Sequence, residues 1–88
     1  MLSYVYILHN GAGMTPYRDW DNDSGVQAYE IGQSHIDVQF KGGATCRYTS
    51  LSVGQMNLDQ MTRFARTGNG LNAFISTVVK DHYSARLR

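Results

Sequence analysis

Hydrophobic and polar residues alternate through the middle of the chain, and this pattern predicts a β-sheet. In the stretch IDVQF, Ile36, Val38 and Phe40 fall on one face and polar residues fall on the other. The neighbouring stretches VQAYEI and ATCRYT have a strand-like composition as well. The N-terminal stretch LSYVYILH is apolar on both faces and predicts a strand that is either central or covered by a second chain. We therefore expect an antiparallel sheet of about four strands.

Two glycines at 42 and 43 predict a hairpin inside this sheet. A two-residue loop would place Phe40 opposite Thr45, whereas a three-residue loop over 42–44 would place Phe40 opposite Cys46. Only the second keeps the apolar face continuous, because a slip of one residue moves every side chain to the other face. We expect the three-residue loop, with a glycine in the left-handed region.

The C-terminal half changes to a helical period. Residues 57–67 carry one apolar face, with Asn57 as the expected N-cap and Gly68 as the expected stop. From Leu71 to His82, apolar residues and the histidine follow helical spacing, and the basic tail after them is expected to fray. The predicted fold class is α+β, an antiparallel sheet of about four strands packed on two C-terminal helices.

The 88 residues fit a single domain, 1–88, in which about 25 N-terminal residues form the extra strand and a long loop. The loop, Asn10 to Ser24, has no periodicity, and loops of that length are typically functional or mobile. Because a two-faced apolar strand is hard to cover in so small a chain, we also expect a homo-oligomer.

A series of short motifs follows in order between residues 26 and 83: IDVQF before the glycine hairpin, RYTSLSVG after it, and TGNGLNAFI at the second helix. The residues that carry the pattern are Tyr29, Arg47, Tyr48, Phe64, Ala65, Gly68, Asn72, Ile75 and Tyr83. Together they resemble the KTSC domain, a small module named after a C-terminal extension of some lysyl-tRNA synthetases. The resemblance implies a small α+β fold and a role in contacting RNA or nucleotides, and it places Arg47 and Tyr48 among the candidate ligand-binding residues. Residues 1–25 are additional to it.

Charge and cysteine content narrow the partners. The formal net charge is only +1, whereas domains that grip a long phosphate backbone have a clear basic excess, so long nucleic acid is not an expected partner. Cys46 is the single cysteine, so no internal disulfide can form and a reducing, cytoplasmic location is expected. No stretch approaches the ~20 apolar residues that cross a bilayer, so no membrane partner is expected.

The stretch RFARTGNGLN is the best chemical candidate. A glycine-rich turn that opens a helix directs unpaired backbone N–H groups outward, where the helix dipole favours an anion. Arginines one turn upstream could fork onto a phosphate, and asparagine amides could add donors. The candidate phosphate contacts are Arg63, Arg66, Gly68, Asn69, Gly70 and Asn72. The alternative is a purely structural joint, a Schellman stop at Gly68 with Asn69 capping the next helix.

Aromatic and basic residues in the long loop are the second candidate. Tyr17, Arg18 and Trp20 lie where no local pattern buries them. Rings and guanidinium planes stack on bases with ~1–3 kcal/mol per base, and they also anchor protein interfaces. As a third option, the loop folds back and Trp20 fills the core.

Metal binding and catalysis have little support. The stretch DWDNDSGVQAYE places Asp19, Asp21, Asp23 and Glu30 at EF-hand spacing, but neither flank is helical and Ser24 stands where the loop needs glycine. We expect a solvated acidic loop that repels anions or meets a basic partner. Cys46 has no sequence-local base, and His9, His35 and His82 are scattered, so we expect neither an enzyme nor a cofactor.

The preferred hypothesis is a non-enzymatic binding protein for a small phosphate-bearing ligand, a nucleotide or oligonucleotide signal. A sponge of phage or mobile-element type, which sequesters an immune signal, would have this form. One alternative is an inhibitor or adaptor that contacts a host protein through the acidic-aromatic loop. The other is the RNA-binding module that the KTSC resemblance implies.

Overall fold

The computed structural model describes residues 13–20 and 24–88. Within these ranges one antiparallel sheet has the strand order β1-β2-β3-β4-β5. The strands are β1 (Thr15–Pro16), β2 (Val26–Ile31), β3 (His35–Phe40), β4 (Thr45–Thr49) and β5 (Ala85–Arg86). Between β4 and β5 come helices α1 (Ser50–Val53), α2 (Gln55–Thr67) and α3 (Leu71–Phe74), the last continuing as a π-helical turn over Ile75–Val79. The α+β class is confirmed, and the predicted strand over 2–9 lies outside the described residues.

The helices cover the inner face of the sheet. Ile36 and Val38 of β3 are fully buried, as the alternation predicts. Met61 of α2 and Leu71 of α3 are equally buried in the same cluster. Burying such a stripe is the main favourable term in the folding of a chain this small.

The β3–β4 hairpin has the predicted loop length but a different register. Cys46 pairs with Val38, not with Phe40 as predicted. The loop is Lys41–Gly43, and its last residue, a glycine, has φ 102°. Three-residue hairpin loops need a left-handed residue at that last position, and the predicted loop would have placed Ala44 there, where a side chain is strained. The resulting shift of two residues keeps the apolar face continuous.

Helix α2, which the sequence predicted over residues 57–67, differs from the prediction at its start and agrees with it at its end. A short helix, α1, precedes it and is capped by reciprocal bonds between Thr49 and Ser52. Asn57 does not cap α2; its side-chain amide donates to the Val53 carbonyl at the end of α1, 2.9 Å away. The stop at Gly68 is confirmed, with φ 79°.

The last helix ends earlier than predicted. The Lys80 N–H donates to the Ile75 carbonyl five residues back, and this π-helical turn departs from the 3.6-residue period. His82 is therefore exposed beyond the helix and not on its inner stripe. The chain then returns, and Ala85–Arg86 pairs with β4 where fraying was expected. In the described part of the chain every helix is too short or too polar to span a bilayer.

Candidate functional site

The loop before β2 packs onto the junction between α2 and α3. The Trp20 N–H donates to the Gly68 carbonyl at 3.1 Å, and its indole Nε1 donates to the Thr67 carbonyl at 2.8 Å. The Arg18 guanidinium lies 5.5 Å from the centre of the Trp20 ring. A Cβ on Gly68 would stand 2.6 Å from the Cβ of Arg18, so only glycine permits this approach. The structure thus brings together two groups that the sequence predicted separately.

Tyr17 and Trp20, which the sequence predicted together as exposed loop aromatics, have different environments. Tyr17 is 7% exposed and belongs to the core, and its hydroxyl accepts a hydrogen bond from the Leu71 N–H at 3.1 Å. That burial does not fit the predicted stacking of Tyr17 on a base. Trp20 is 65% exposed, so the loop folds back without burying its tryptophan.

Backbone amides at the junction divide into paired and unpaired groups. The N–H groups of Gly68 and Asn69 donate to carbonyls in the last turn of α2, as in a Schellman stop. The prediction that these two groups donate to an anion is therefore wrong. Asn69 does not cap α3 either: Gly70 occupies the N-cap position without a side-chain bond. Among the described residues the N–H groups of Asn72 and Ala73 have no hydrogen-bond partner.

The two arginines of α2 are both exposed to solvent. Arg63 hydrogen-bonds the Gln60 side chain and lies 6.0 Å from the centre of the Phe64 ring. Arg66 is exposed in the last turn of α2. Neither lines the junction cavity described below, so the predicted fork on a phosphate does not form there. The α2 face that carries them is the solvent face, opposite the residues that pack on the sheet.

Arg47 and Tyr48, the candidates taken from the KTSC resemblance, lie on opposite faces of β4 because they are consecutive in a strand. The Arg47 guanidinium donates to both Asp37 carboxylate oxygens, at 2.8 and 3.0 Å, on the outer face. That carboxylate raises the pKa of Arg47. Tyr48 is 1% exposed in the core, and its burial raises its pKa to about 12. The two side chains cannot contact one ligand.

A small polar cavity of about 190 Å³, the junction cavity, opens where the loop meets α3. Its lining residues are Tyr17, Asp19, Ser24, Asn69, Gly70, Asn72 and Ala73. The Asp19 carboxylate accepts hydrogen bonds from the Ser24 N–H and from Lys41 Nζ, each at 3.2 Å. The sequence did not indicate Lys41, because its contact with Asp19 joins residues 22 positions apart and has no local signal.

The described side chains are not arranged for metal binding or for catalysis by a thiol. Across residues 13–20 and 24–88, no group of three or more His, Cys, Asp or Glu side chains could hold a metal ion. Asp21 and Asp23 lie outside those residues, and Glu30 lies on β2 as predicted. Burial raises the pKa of the Cys46 thiol against the opposing effect of Arg86, so the nucleophilic thiolate is disfavoured.

Comparison with known proteins gives no match to a family model, to a curated protein or to a solved structure. The KTSC resemblance therefore stays a prediction that rests on the motifs alone.

Proposed function

We propose that the chain binds a small phosphate-bearing ligand, a nucleotide or oligonucleotide signal, at the junction cavity and holds it without chemical change. The observation that carries the proposal is the meeting of the aromatic loop with the start of α3. Four of the predicted contact residues, Tyr17, Asn69, Gly70 and Asn72, line that one cavity.

The cavity suits a charged head group. At about 190 Å³ it is smaller than the ~300–1,000 Å³ of pockets that enclose a whole ligand. The unpaired N–H groups of Asn72 and Ala73 lie at the positive end of a helix dipole, which attracts an anion. Asp19 would oppose that anion, but Lys41 neutralises its carboxylate at 3.2 Å. Lys41 does not line the cavity; its part is to compensate Asp19, which differs from the direct phosphate contact that the sequence gave to Arg63 and Arg66.

The rest of the ligand would lie outside the cavity on Trp20. That ring is 65% exposed and follows the cavity-lining Asp19 in the chain. One face is near the Arg18 guanidinium, and the indole is fixed through its bond to the Thr67 carbonyl. A ring held in this way loses little conformational freedom when a base stacks on it, a contact worth ~1–3 kcal/mol.

Calorimetric titration with mono-, di- and cyclic nucleotides tests the proposal, with the matching nucleosides as controls. We expect nucleotides to bind and nucleosides to bind at least about tenfold more weakly, because they lack the charged group. Lys41→Gln should weaken nucleotide binding, whereas Lys80→Gln, which removes an exposed lysine at the far end of the π-helical turn, should not. Equal affinity for nucleosides and nucleotides would overturn the proposal.

A second candidate function is an inhibitor or adaptor that contacts a host protein through the same loop. The exposure of Trp20 favours it, because tryptophan is enriched among residues that dominate interface energies. No thermal shift with any nucleotide, together with loss of a co-purifying protein in Trp20→Ala, would favour this candidate. Affinity for RNA that falls steeply with salt would instead favour the RNA-binding alternative.

The sponge hypothesis adds sequestration by a cytoplasmic homo-oligomer. Light scattering with and without nucleotide measures the number of subunits, and mass spectrometry of the purified protein identifies any ligand carried from the cell. A monomer that binds nucleotide would keep the binding function and remove the oligomer from the hypothesis.

A further inference from the structure

The outer face of the sheet, away from the helices, carries a second cavity, the sheet-face cavity. Its volume is about 430 Å³, within the range of small-molecule pockets. Six of the residues that line it are Met14, Glu30, Asp37, Gln39, Thr45 and Leu87. None of them lines the junction cavity, so this site is independent of the proposed nucleotide site.

The floor of the sheet-face cavity contains a buried hydroxyl without a partner. Thr45 is 6% exposed, and its Oγ1 makes no hydrogen bond to any residue that the structure describes. Its backbone groups are satisfied, since its carbonyl accepts from the Leu87 N–H at 2.7 Å. The Gln39 amide beside it on β3 has no hydrogen bond to a described residue either. Buried polar groups are nearly always paired, so this hydroxyl and this amide are available to hydrogen-bond a molecule that enters the cavity.

The charge on the β2 side of this cavity is negative. Asp37 is compensated by Arg47, but its cross-strand neighbour Glu30 has no hydrogen bond within the described residues. The Glu30 carboxylate lies against Gly13, where an added Cβ would be 2.4 Å from Oε2. Arg88 also lines the cavity, but from the β5 side. Three strand spacings of ~4.8 Å separate the backbone there from the backbone of Glu30, a distance of roughly 14 Å.

We propose that the sheet-face cavity binds a small organic cation with an apolar body, such as a primary ammonium or an amidinium. The head group donates to the Glu30 carboxylate, and the Gln39 amide and the Thr45 hydroxyl, one and two strands away, face the rest of the ligand. The body packs on Met14 and Leu87. A cation suits this wall because the Glu30 carboxylate can only accept hydrogen bonds, whereas the Gln39 amide and the Thr45 hydroxyl can accept or donate.

An NMR titration of the full chain tests the assignment, with benzylammonium as the probe and benzyl alcohol and benzoate as its neutral and anionic counterparts. Benzylammonium should shift the backbone amides of Asp37, Gln39 and Thr45 along a saturable curve. Benzyl alcohol should bind about tenfold more weakly or worse, the loss expected for one charge-assisted hydrogen bond. Equal binding of the alcohol, or shifts confined to other residues, would overturn the proposal.

Variants distinguish binding at the sheet-face cavity from a nonspecific attraction of the cation to surface carboxylates. Glu30→Gln should weaken benzylammonium binding about tenfold, whereas Asp59→Asn, which removes an exposed carboxylate on α2, should leave it unchanged. Gly13→Ala should also weaken binding, because it displaces the Glu30 carboxylate while the charge remains. Wild-type affinity in Glu30→Gln, or an equal loss in Asp59→Asn, refutes the site.

Discussion

On the inner face of the sheet Ile36, Val38 and Tyr48 pack against the helices, whereas on the outer face Asp37 and Arg47 hold each other by two hydrogen bonds. The inner face tolerates the two-residue error in the predicted register, since apolar residues still meet apolar residues. The outer face does not, because Arg47 is opposite Asp37 only in the observed register. Burial is non-directional, but a hydrogen-bonded pair depends on which residue stands opposite which.

The largest effect should come from the inner face. Ile36→Ala removes methyl and methylene groups from a fully buried site and leaves a cavity, so it should lower the free energy of unfolding by roughly 2–5 kcal/mol. Urea denaturation followed by circular dichroism measures this difference. Leu51→Ala on α1 is the matched control: its side chain is 97% exposed, and its substitution should change stability by less than about 0.5 kcal/mol. Similar losses in both variants would contradict the division between the faces.

The second effect is a pH dependence that belongs to the inner face. Burial raises the pKa of Tyr48 to about 12, above its ordinary value of 10.0. The folded state therefore holds the phenol proton more tightly than the unfolded state does, and this stabilisation is complete below pH 10. This stabilisation is lost as the pH rises through 12, which lowers the free energy of unfolding by about 2–3 kcal/mol.

Tyr48→Phe isolates this decline, because it lacks the titrating group but keeps the ring. The free energy of unfolding, measured in urea at pH 8, 10 and 12, should fall more in the wild type than in the variant. The remaining tyrosines, lysines and arginines titrate in both proteins, so only the difference counts. Parallel curves would mean that the pKa of Tyr48 is the same in the folded and unfolded states.

The fold could be predicted where a repeating pattern has one physical cause. Alternation located β3 and β4, helical period located α2, and Gly68 marked its end, since each is a local signal of burial or backbone conformation. The register, the short helix α1 and the π-helical turn were missed. Each depends on the backbone geometry of a single turn, such as the glycine required at the last hairpin position.

The candidate site could be predicted in place but not in detail. The sequence identified the aromatic loop and the helix junction, yet it could not indicate that Tyr17 would fill the core and leave Trp20 exposed. Nor could it pair Lys41 with Asp19, or direct Arg63 toward Gln60 on the solvent face. These outcomes are decided by contacts between side chains that the fold brings together, and a period along the chain carries no information on them.

The third effect concerns the polar pair of the outer face. Arg47→Leu leaves the Asp37 carboxylate, 6% exposed, without its two hydrogen bonds. The loss should be about 1–2 kcal/mol, below that of a fully buried pair because the Arg47 side chain is 40% exposed.

Arg63→Leu is the control for this pair, since it removes an exposed arginine of α2 and should have little effect. The double variant Asp37→Val, Arg47→Leu should recover most of the stability that Arg47→Leu loses, because no uncompensated charge remains. Urea denaturation of the wild type, Asp37→Val, Arg47→Leu and the double variant forms the cycle. A double variant no more stable than Arg47→Leu would show that the cost has another origin.

The smallest effect is the most informative about the outer face, because its sign is unusual. Thr45→Val replaces a buried hydroxyl that has no partner in the described chain with a methyl group of similar shape. It should raise the free energy of unfolding by about 0.5–1 kcal/mol. In the wild type, folding removes water from a hydroxyl that gains no hydrogen bond in return, and the variant avoids this cost. Thr49→Val, at the end of the same strand, removes a hydroxyl that accepts from the Ser52 N–H and should cost about 1 kcal/mol. If the free energy of unfolding rises in Thr45→Val and falls in Thr49→Val, the Thr49 hydroxyl stabilises the fold and the Thr45 hydroxyl is available to a ligand. A loss of stability in both variants would assign Thr45 to the fold.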